Sequence, residues 1–357
     1  MAKLIVNLSM LGKRSTGLGV YSKNCVEAIE ANFDASYFAL DSNLVPEDKV
    51  LSCPQSIAIG SGRLAAIKRY FWSKSVRIDE ADVLYTPTHH GLIGVRDQVV
   101  TVHDLIALRH PSQHFIQFVY FKFFLPRLLR KCKAVFTVSE CTKKDIALHY
   151  NYPGERIFVV PNGVDVGEFA PVVAVDSSPF LLVVGGGFFH KNVHEILENH
   201  ELWSDKFRLV IVSASGKYRK YLARKAVELG IAEQVEFMGY VSRLQLVGLY
   251  SSCAAFIYPS KWEGFGIPPL EAISCGRKVV VSDIEVHREI LADSVRYVRL
   301  GDRQSWIAAF TYIEKAELSD LEIKSRAQVL QQYSLENARK ILVEKLHEVY
   351  PSLSEVN

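Results

Sequence analysis

Two glutamates separated by seven residues, Glu263 and Glu271, carry the strongest chemical signal in the chain. They stand in CAAFIYPSKWEGFGIPPLEAISCGRKVVVSDIE, residues 253–285. Gly264 and Gly266 beside the first acid make a corner where backbone N–H groups can approach a ligand. Pro268 and Pro269 suit the first turn of a helix, whose N-terminus favours an anion such as a diphosphate. Carboxylates do not bind phosphate, but they accept hydrogen bonds from hydroxyls. One diphosphate flanked by polyols, the layout of a sugar nucleotide, would occupy both acids. The plainer account makes Glu263 a loop charge and Glu271 a solvated helix residue.

The elements that position these acids are readable around them. Cys253 to Tyr258 has the β-branched and aromatic composition of a buried strand, Pro259 to Gly266 that of a loop, and Leu270 to Ser274 continues a helix that Gly276 ends. Lys278 to Ser282 is the next buried strand, so the unit is strand, loop, helix, strand. The same grammar recurs along the chain. Strands are expected at Lys3 to Leu8, Asp82 to Thr86, Gln98 to Val102, Ala134 to Ser139, Ile157 to Val160, from Phe180, at Phe207 to Val212 and at Val235 to Phe237. Ser139 is expected to cap a helix. The C-terminal stretch has helical spacing through Ala338, Leu342, Lys345 and Val349.

The run PSKWEGFGIPPLEAISCG resembles the Glu-x7-Glu signature of the retaining glycosyltransferases of family 4. That resemblance implies an α/β protein of GT-B fold, two facing Rossmann-like domains with the donor site in the cleft between them. The expected division is 1–169, an acceptor domain, and 170–334, the nucleotide-sugar domain, with a last helix in 335–357 returning to the first. In the family the first glutamate meets donor-sugar hydroxyls and the second the ribose, which implies Glu263 and Glu271, with Gly264, Phe265, Gly266 and Ile267 around the diphosphate. VVTVHDLIALRHP is similar to the family's HD motif and implies that His103, at a strand end, faces the donor sugar. Spacing alone leaves open a metal role for His89, His90 and His103.

GLGVYSKN is similar to the family's GGIGxY-type loop, which implies donor contact by Gly17 and Gly19, although Thr16 stands where a further glycine is common. The same glycines with Asp41 also admit a nicotinamide-dependent dehydrogenase, but Ser22 replaces the third glycine and the preceding loop is long. FLLVVGGGFFHKN places Lys191 at a helix start after a strand. Family members commonly carry an Arg a few residues before this Lys, where Gly185, Gly186 and Gly187 stand instead. Lys191 is therefore the one cation carried over, and backbone N–H groups, another side chain or the other domain must meet the remaining phosphate charge. An inactive GT-B-like scaffold is the reading outside enzymology. Tyr240 and Val241 are implied to touch the base.

The resemblance implies a retaining hexosyl transfer on one face of the sugar. No Asp-x-Asp triplet occurs, so no essential metal and no cofactor beyond the co-substrate is expected. SKWEGFGIPPLEA is most similar to bacterial enzymes of surface polysaccharide assembly that use GDP-sugars, which favours GDP-mannose as donor. UDP-glucose, UDP-galactose and UDP-N-acetylglucosamine stay open, because sugar choice lies in pocket shape.

The chain has 357 residues, 49% of them hydrophobic, and a formal charge of +3, too little to argue for nucleic acid. Its six cysteines lack Cys-x-x-Cys spacing. No signal peptide or spanning segment is recognisable, so a cytoplasmic protein is expected. Two stretches are basic and aromatic: residues 60–77, with Arg63, Lys68, Arg69, Lys74 and Arg77, and residues 114–133, with Arg127, Arg130, Lys131 and Lys133. They suit either core packing with solvated charges or attachment to the inner face of the cell membrane, where a lipid-linked saccharide acceptor would be met. Pro126 is expected to kink or restart a helix.

Overall fold

A computed structural model describes residues 2–11, 17–40, 44–58, 64–173, 178–315 and 317–354. Thr16, Asp41, Arg63 and residues 174–177 lie outside the described residues. The chain forms two compact units, Met1–Asn162 with Leu335–Asn357, and Gly163–Ser334.

The first unit holds a seven-stranded sheet in the order β3-β2-β1-β4-β5-β6-β7. Its strands are β1 Leu4–Asn7, β2 Ala35–Phe38, β3 Val50–Leu51, β4 Val83–Thr86, β5 Gln98–Val102, β6 Cys132–Thr137 and β7 Ile157–Val159. The second holds a six-stranded sheet in the order β10-β9-β8-β11-β12-β13. It is built from β8 Phe180–Val184, β9 Arg208–Val212, β10 Val235–Phe237, β11 Ala255–Tyr258, β12 Lys278–Ser282 and β13 Arg296–Val298. Every pairing is parallel. Strands covered on both faces must be apolar along their length, and β5, β11 and most of β12 are fully buried. Both sheets reverse their winding once, between β1 and β4 and between β8 and β11. Such switch points leave a crevice at the carboxyl ends of the strands, where ligands of doubly wound sheets bind.

These are the two expected Rossmann-like domains. The core of the second unit gathers Leu181, Val183, Leu209 and Ile211 of the sheet with the fully buried Trp203 and Trp306. Residues 163–173 pack with this unit: Val164 N–H donates to Tyr333 O (2.8 Å), Cys275 Sγ to Phe169 O (3.3 Å) and Val172 N–H to Ser251 Oγ (3.1 Å). The last helix, Leu335–Val349, lies on helix Gly17–Glu30 of the first unit. An Arg339–Glu27 ion pair joins the two helices, and His347 meets Phe33 at 4.8 Å between ring centres. Its buried stripe runs Ala338, Leu342, Leu346, Val349. Leu346 takes the place expected for Lys345, which pairs with Glu348 (2.6 Å) instead.

Ser139 caps helix Glu140–Tyr150 by accepting from Thr142 N–H (3.1 Å), as its type predicts. Pro126 stands in the first turn of a helical segment that restarts after a π turn. Phe115–Val119, a π turn Tyr120–Phe124 and Leu125–Leu129 run on end to end. In that turn Leu125 N–H reaches back five residues to Tyr120 O. The wider turn absorbs the donor that proline lacks.

Candidate active site

Lys191 and Glu263 leave the two strands that flank the switch point of the second sheet. Lys191 follows β8 through Gly185–Gly187, and Glu263 follows β11 through Pro259–Trp262. Their side chains meet there, with Nζ 2.6 Å from Oε1, and Lys191 also donates to Tyr258 OH at 2.9 Å. The loops are tied by Lys261 N–H to His190 O (2.8 Å). Two of the ammonium's three N–H donors are thus used, and the third can serve an anion.

The pair is nearly enclosed, its side chains 17% and 12% exposed. Burial alone would raise the Glu263 carboxyl and lower the Lys191 ammonium. The ion pair outweighs burial for both, holding the acid below and the amine above their ordinary ranges. Burial and the Glu263 charge together keep the Tyr258 hydroxyl protonated. The arrangement is a fixed cation with an ionised carboxylate beside it.

Gly266 takes φ +88°, a left-handed conformation that L side chains rarely adopt, and starts helix Ile267–Ser274. Pro268 and Pro269 leave Ile267 as the one N–H donor among the first three helical positions, so the helix end offers an anion fewer donors than an ordinary first turn. Phe265 is buried edge-on to Tyr333 (5.4 Å), which anchors the loop that carries Gly264. Behind Gly266 lies His287, whose Nε2 would be 3.5 Å from a Cβ at that glycine. His287 Nδ1 lies 2.9 Å from Ser282 O, an acceptor only, so Nδ1 carries the proton. Nε2 is then a lone-pair acceptor with no partner among the described residues. Burial lowers its pKa to about 4, so the ring is neutral.

Glu271 lies one turn further along the helix, buried, and accepts from Tyr250 OH at 2.9 Å. Arg243 Nη1 stands 3.8 Å from its other oxygen. Burial pushes the Glu271 carboxyl up to about 7, against the pull of Arg243 and Tyr250. Tyr240 is 79% exposed and Val241 half-buried, just ahead of helix Arg243–Ser252, which Ser242 and Gln245 cap reciprocally.

The glycine run does not supply phosphate donors. Gly185 and Gly186 N–H both go to Val212 O (3.0 and 3.2 Å), and Gly187 N–H goes to Gly185 O (2.8 Å). Gly186 is small because a Cβ would meet Ile211 at 2.6 Å, and Gly185 has φ +95°.

In the first unit, His103 follows β5. Its Nε2 donates to Pro87 O (2.9 Å), leaving Nδ1 as acceptor, and burial lowers its pKa to about 4. Tyr21, one turn beyond Gly17, packs edge-on against it at 4.6 Å. A Cβ on Gly17 would meet nothing within 4 Å, and Gly19 is half-buried. Asn7 Nδ2, at the end of β1, donates to His90 O (3.0 Å) across the switch point. Among the described residues no group of three or more His, Cys, Asp or Glu is arranged to hold a metal. Of the basic residues, Lys131 donates to Ile93 O (2.8 Å) and Lys133 lies over the Tyr350 ring (4.7 Å). Arg127 donates to Phe123 O, and Arg127 and Arg130 are exposed.

Residues 16–168 match the family described as Glycosyltransferase Family 4, and residues 168–333 the one described as Glycosyl transferases group 1. The chain is 35% identical over 327 residues to the O-antigen chain mannosyltransferase RfbU of Salmonella typhimurium, covering 87% of this chain and 91% of that protein. The chain belongs to this glycosyltransferase family. It is also 28% identical over 257 residues to the O-antigen chain mannosyltransferase B of Escherichia coli, covering 67% of this chain and 66% of the relative. Among solved structures, sucrose-phosphate synthase from Thermosynechococcus elongatus is similar in fold, with a TM-score of 0.74 at 15% identity over 99% of this chain and 100% of that one.

The two Rossmann-like domains of this glycosyltransferase are therefore those of the GT-B fold, and the nicotinamide reading falls away. Three residues of the glycosyltransferase's site escaped sequence reasoning: Tyr258, His287 and Arg243. Tyr258 had a usable signal, a polar residue at a strand's carboxyl end, and His287 had one in the first turn of the helix that follows β12. Arg243 had another, a cation in the first turn of a helix, where the dipole disfavours it.

Proposed function

We propose that this glycosyltransferase moves mannose from GDP-mannose, with retention of anomeric configuration, to a hydroxyl of a lipid-linked or oligosaccharide acceptor in polysaccharide biosynthesis. The Lys191–Glu263 contact of 2.6 Å across a switch point carries the reading. It gives one cation for the donor diphosphate and one ionised acid for sugar hydroxyls, with Glu271 for the ribose, as in the family motif. Mannose is favoured because two relatives, matched over two thirds or more of the chain, are named mannosyltransferases.

In the proposed reaction Lys191 and the Ile267 N–H stabilise the diphosphate as it leaves, and charge on a leaving group is where fixed donors help most. Glu263 holds the sugar. Its ion pair holds its pKa low and makes it a poor base, so a donor phosphate oxygen takes the acceptor proton on the same face. His103, neutral with a lone pair on Nδ1, accepts from a sugar hydroxyl, and Gly17 leaves room for the donor.

The acceptor surface is proposed on the first unit, at the inner face of the cell membrane. Tyr70, Phe71, Phe115, Ile116, Phe123 and Phe124 are exposed there, and Tyr70 touches Phe124 at 6.1 Å between ring centres. Exposed Lys68, Lys122, Arg127 and Arg130 accompany them. Aromatics with basic neighbours suit an anionic lipid surface. No helix among the described residues is long and apolar enough to cross a membrane.

The test is hydrolysis of a panel of GDP- and UDP-sugars. GDP-mannose should be turned over fastest; a UDP-sugar turned over in its place would overturn the donor, and no turnover of any sugar nucleotide would overturn the reaction.

A further inference from the structure

Arg243 occupies a place that its helix disfavours. It is the first residue of helix Arg243–Ser252, where the macrodipole repels a cation. Its guanidinium is nonetheless fixed. Nε and Nη2 form a fork on Glu168 at 2.8 and 2.6 Å, and the group stacks over the Phe169 ring at 4.8 Å. The remaining Nη1 is 3.8 Å from Glu271 Oε1, while Tyr250 OH serves the other oxygen. One cation is shared between two acids, one of them buried in the donor helix and the other half in solvent.

We infer that Arg243 is a positioning residue for the donor nucleotide, acting through Glu271, and that Glu168 competes for its charge. The inference rests on the proposed role of Glu271 toward ribose hydroxyls. A carboxylate accepts from both hydroxyls of a diol, whereas a protonated carboxyl spends one oxygen as a donor. Arg243 favours the ionised form and Glu168 opposes it, in agreement with their pulls on the Glu271 carboxyl. The groups facing this acid are Arg243 and Tyr250 from helix Arg243–Ser252, Glu168 from the segment before β8, and Cys275 from the end of its own helix. Asp165 adds to the negative charge around Arg243. Nucleotide binding should therefore strengthen with rising pH as Glu271 ionises. The two neighbours should move that rise in opposite directions.

The experiment is calorimetric titration of GDP and of UDP, the tighter binder carrying the comparison, between about pH 5.5 and about pH 8.5. It uses the full chain and its Arg243→Gln, Glu168→Gln and Glu271→Gln variants. Arg243→Gln should shift the rise to higher pH by about one unit and weaken binding roughly tenfold near neutrality, with most of the loss recovered at the alkaline end. Glu168→Gln should shift it to lower pH. A loss in Arg243→Gln that is equal at every pH, or shifts of the same sign in both variants, would overturn the inference. Glu271→Gln separates the two levels: it should weaken binding and flatten the profile. Wild-type affinity and pH dependence in that variant would overturn the ribose role of Glu271 itself.

Discussion

Lys191 Nζ and Glu263 Oε1 lie 2.6 Å apart although their residues are 72 positions apart in the chain. Each hangs from the carboxyl end of a strand beside the place where the sheet reverses its winding, so the topology brings them together. The contact also preorganises the site. In the proposed role each meets a ligand group, and the buried cation and acid hold one another until the ligand arrives.

Removing one member should expose that dependence. Glu263→Ala leaves a buried ammonium with Tyr258 alone and should destabilise the unliganded protein by about 3–5 kcal/mol, the usual consequence of half a buried pair. Saturating GDP gives Lys191 a phosphate partner and should restore much of the loss. Turnover should fall by a larger factor than nucleotide affinity, because sugar contacts matter most as charge develops at the anomeric carbon. Thermal denaturation with and without GDP, beside steady-state kinetics, checks both parts; a variant as stable as wild type would refute the pairing.

Glu271 gives a pH signature with a definite sign. Its carboxyl is raised from 4.5 to about 7 by burial, so the folded state keeps a proton that the unfolded chain releases in that window. Its contribution to stability therefore falls as pH rises from about 4.5 to about 7, and above that the buried charge costs about 3 kcal/mol. Glu271→Gln should raise Tm at about pH 8 and change it little at about pH 4, while weakening donor binding. An equal change in Tm at both pH values would contradict the assignment.

His103 is neutral across the working range, its pKa lowered to about 4. Turnover should show no break near neutrality that His103→Gln abolishes. His103→Ala should impair transfer and leave GDP affinity nearly unchanged. A kinetic pKa near 6.5 that disappears with the ring would show instead that it works as a proton carrier.

The exposed rings and basic residues of the first unit divide the membrane prediction. Liposome sedimentation at low salt should drop when Phe71, Phe115 and Ile116 become Ser, or when Arg127 and Arg130 do, and high salt should release the wild type. Lys131→Ser and Lys133→Ser should act mainly on stability, because Lys131 holds Ile93 O and Lys133 lies on Tyr350. Unchanged sedimentation in both surface variants would leave the patch without this role.

Much of the fold was legible because buried parallel strands are short apolar runs closed by glycine and proline, and Gln98–Val102 and Lys278–Ser282 coincide with their predicted limits. Strands β2, β3 and β13 were missed; β3 has two residues and β13 three, and both lie at sheet edges where few apolar positions are needed. Glu263, Glu271, Lys191 and His103 could be named singly from motif and strand-end position. The Lys191–Glu263 contact could not, because it depends on which strands are neighbours. That the N–H groups of the glycine run are taken by Val212 O and Gly185 O could not be read from the sequence, because it depends on packing against the neighbouring strand. Arg243 went unread because its reason lies in two acids distant in sequence.

The central claim is that Lys191, Glu263 and Glu271 hold one nucleotide sugar. A crystal structure of the protein with GDP-mannose tests it most directly. The account predicts a diphosphate oxygen within about 3 Å of Lys191 Nζ, the mannose hydroxyls on Glu263 and the ribose hydroxyls on the Glu271 carboxylate. A nucleotide bound elsewhere, with the Lys191–Glu263 corner untouched, would contradict it.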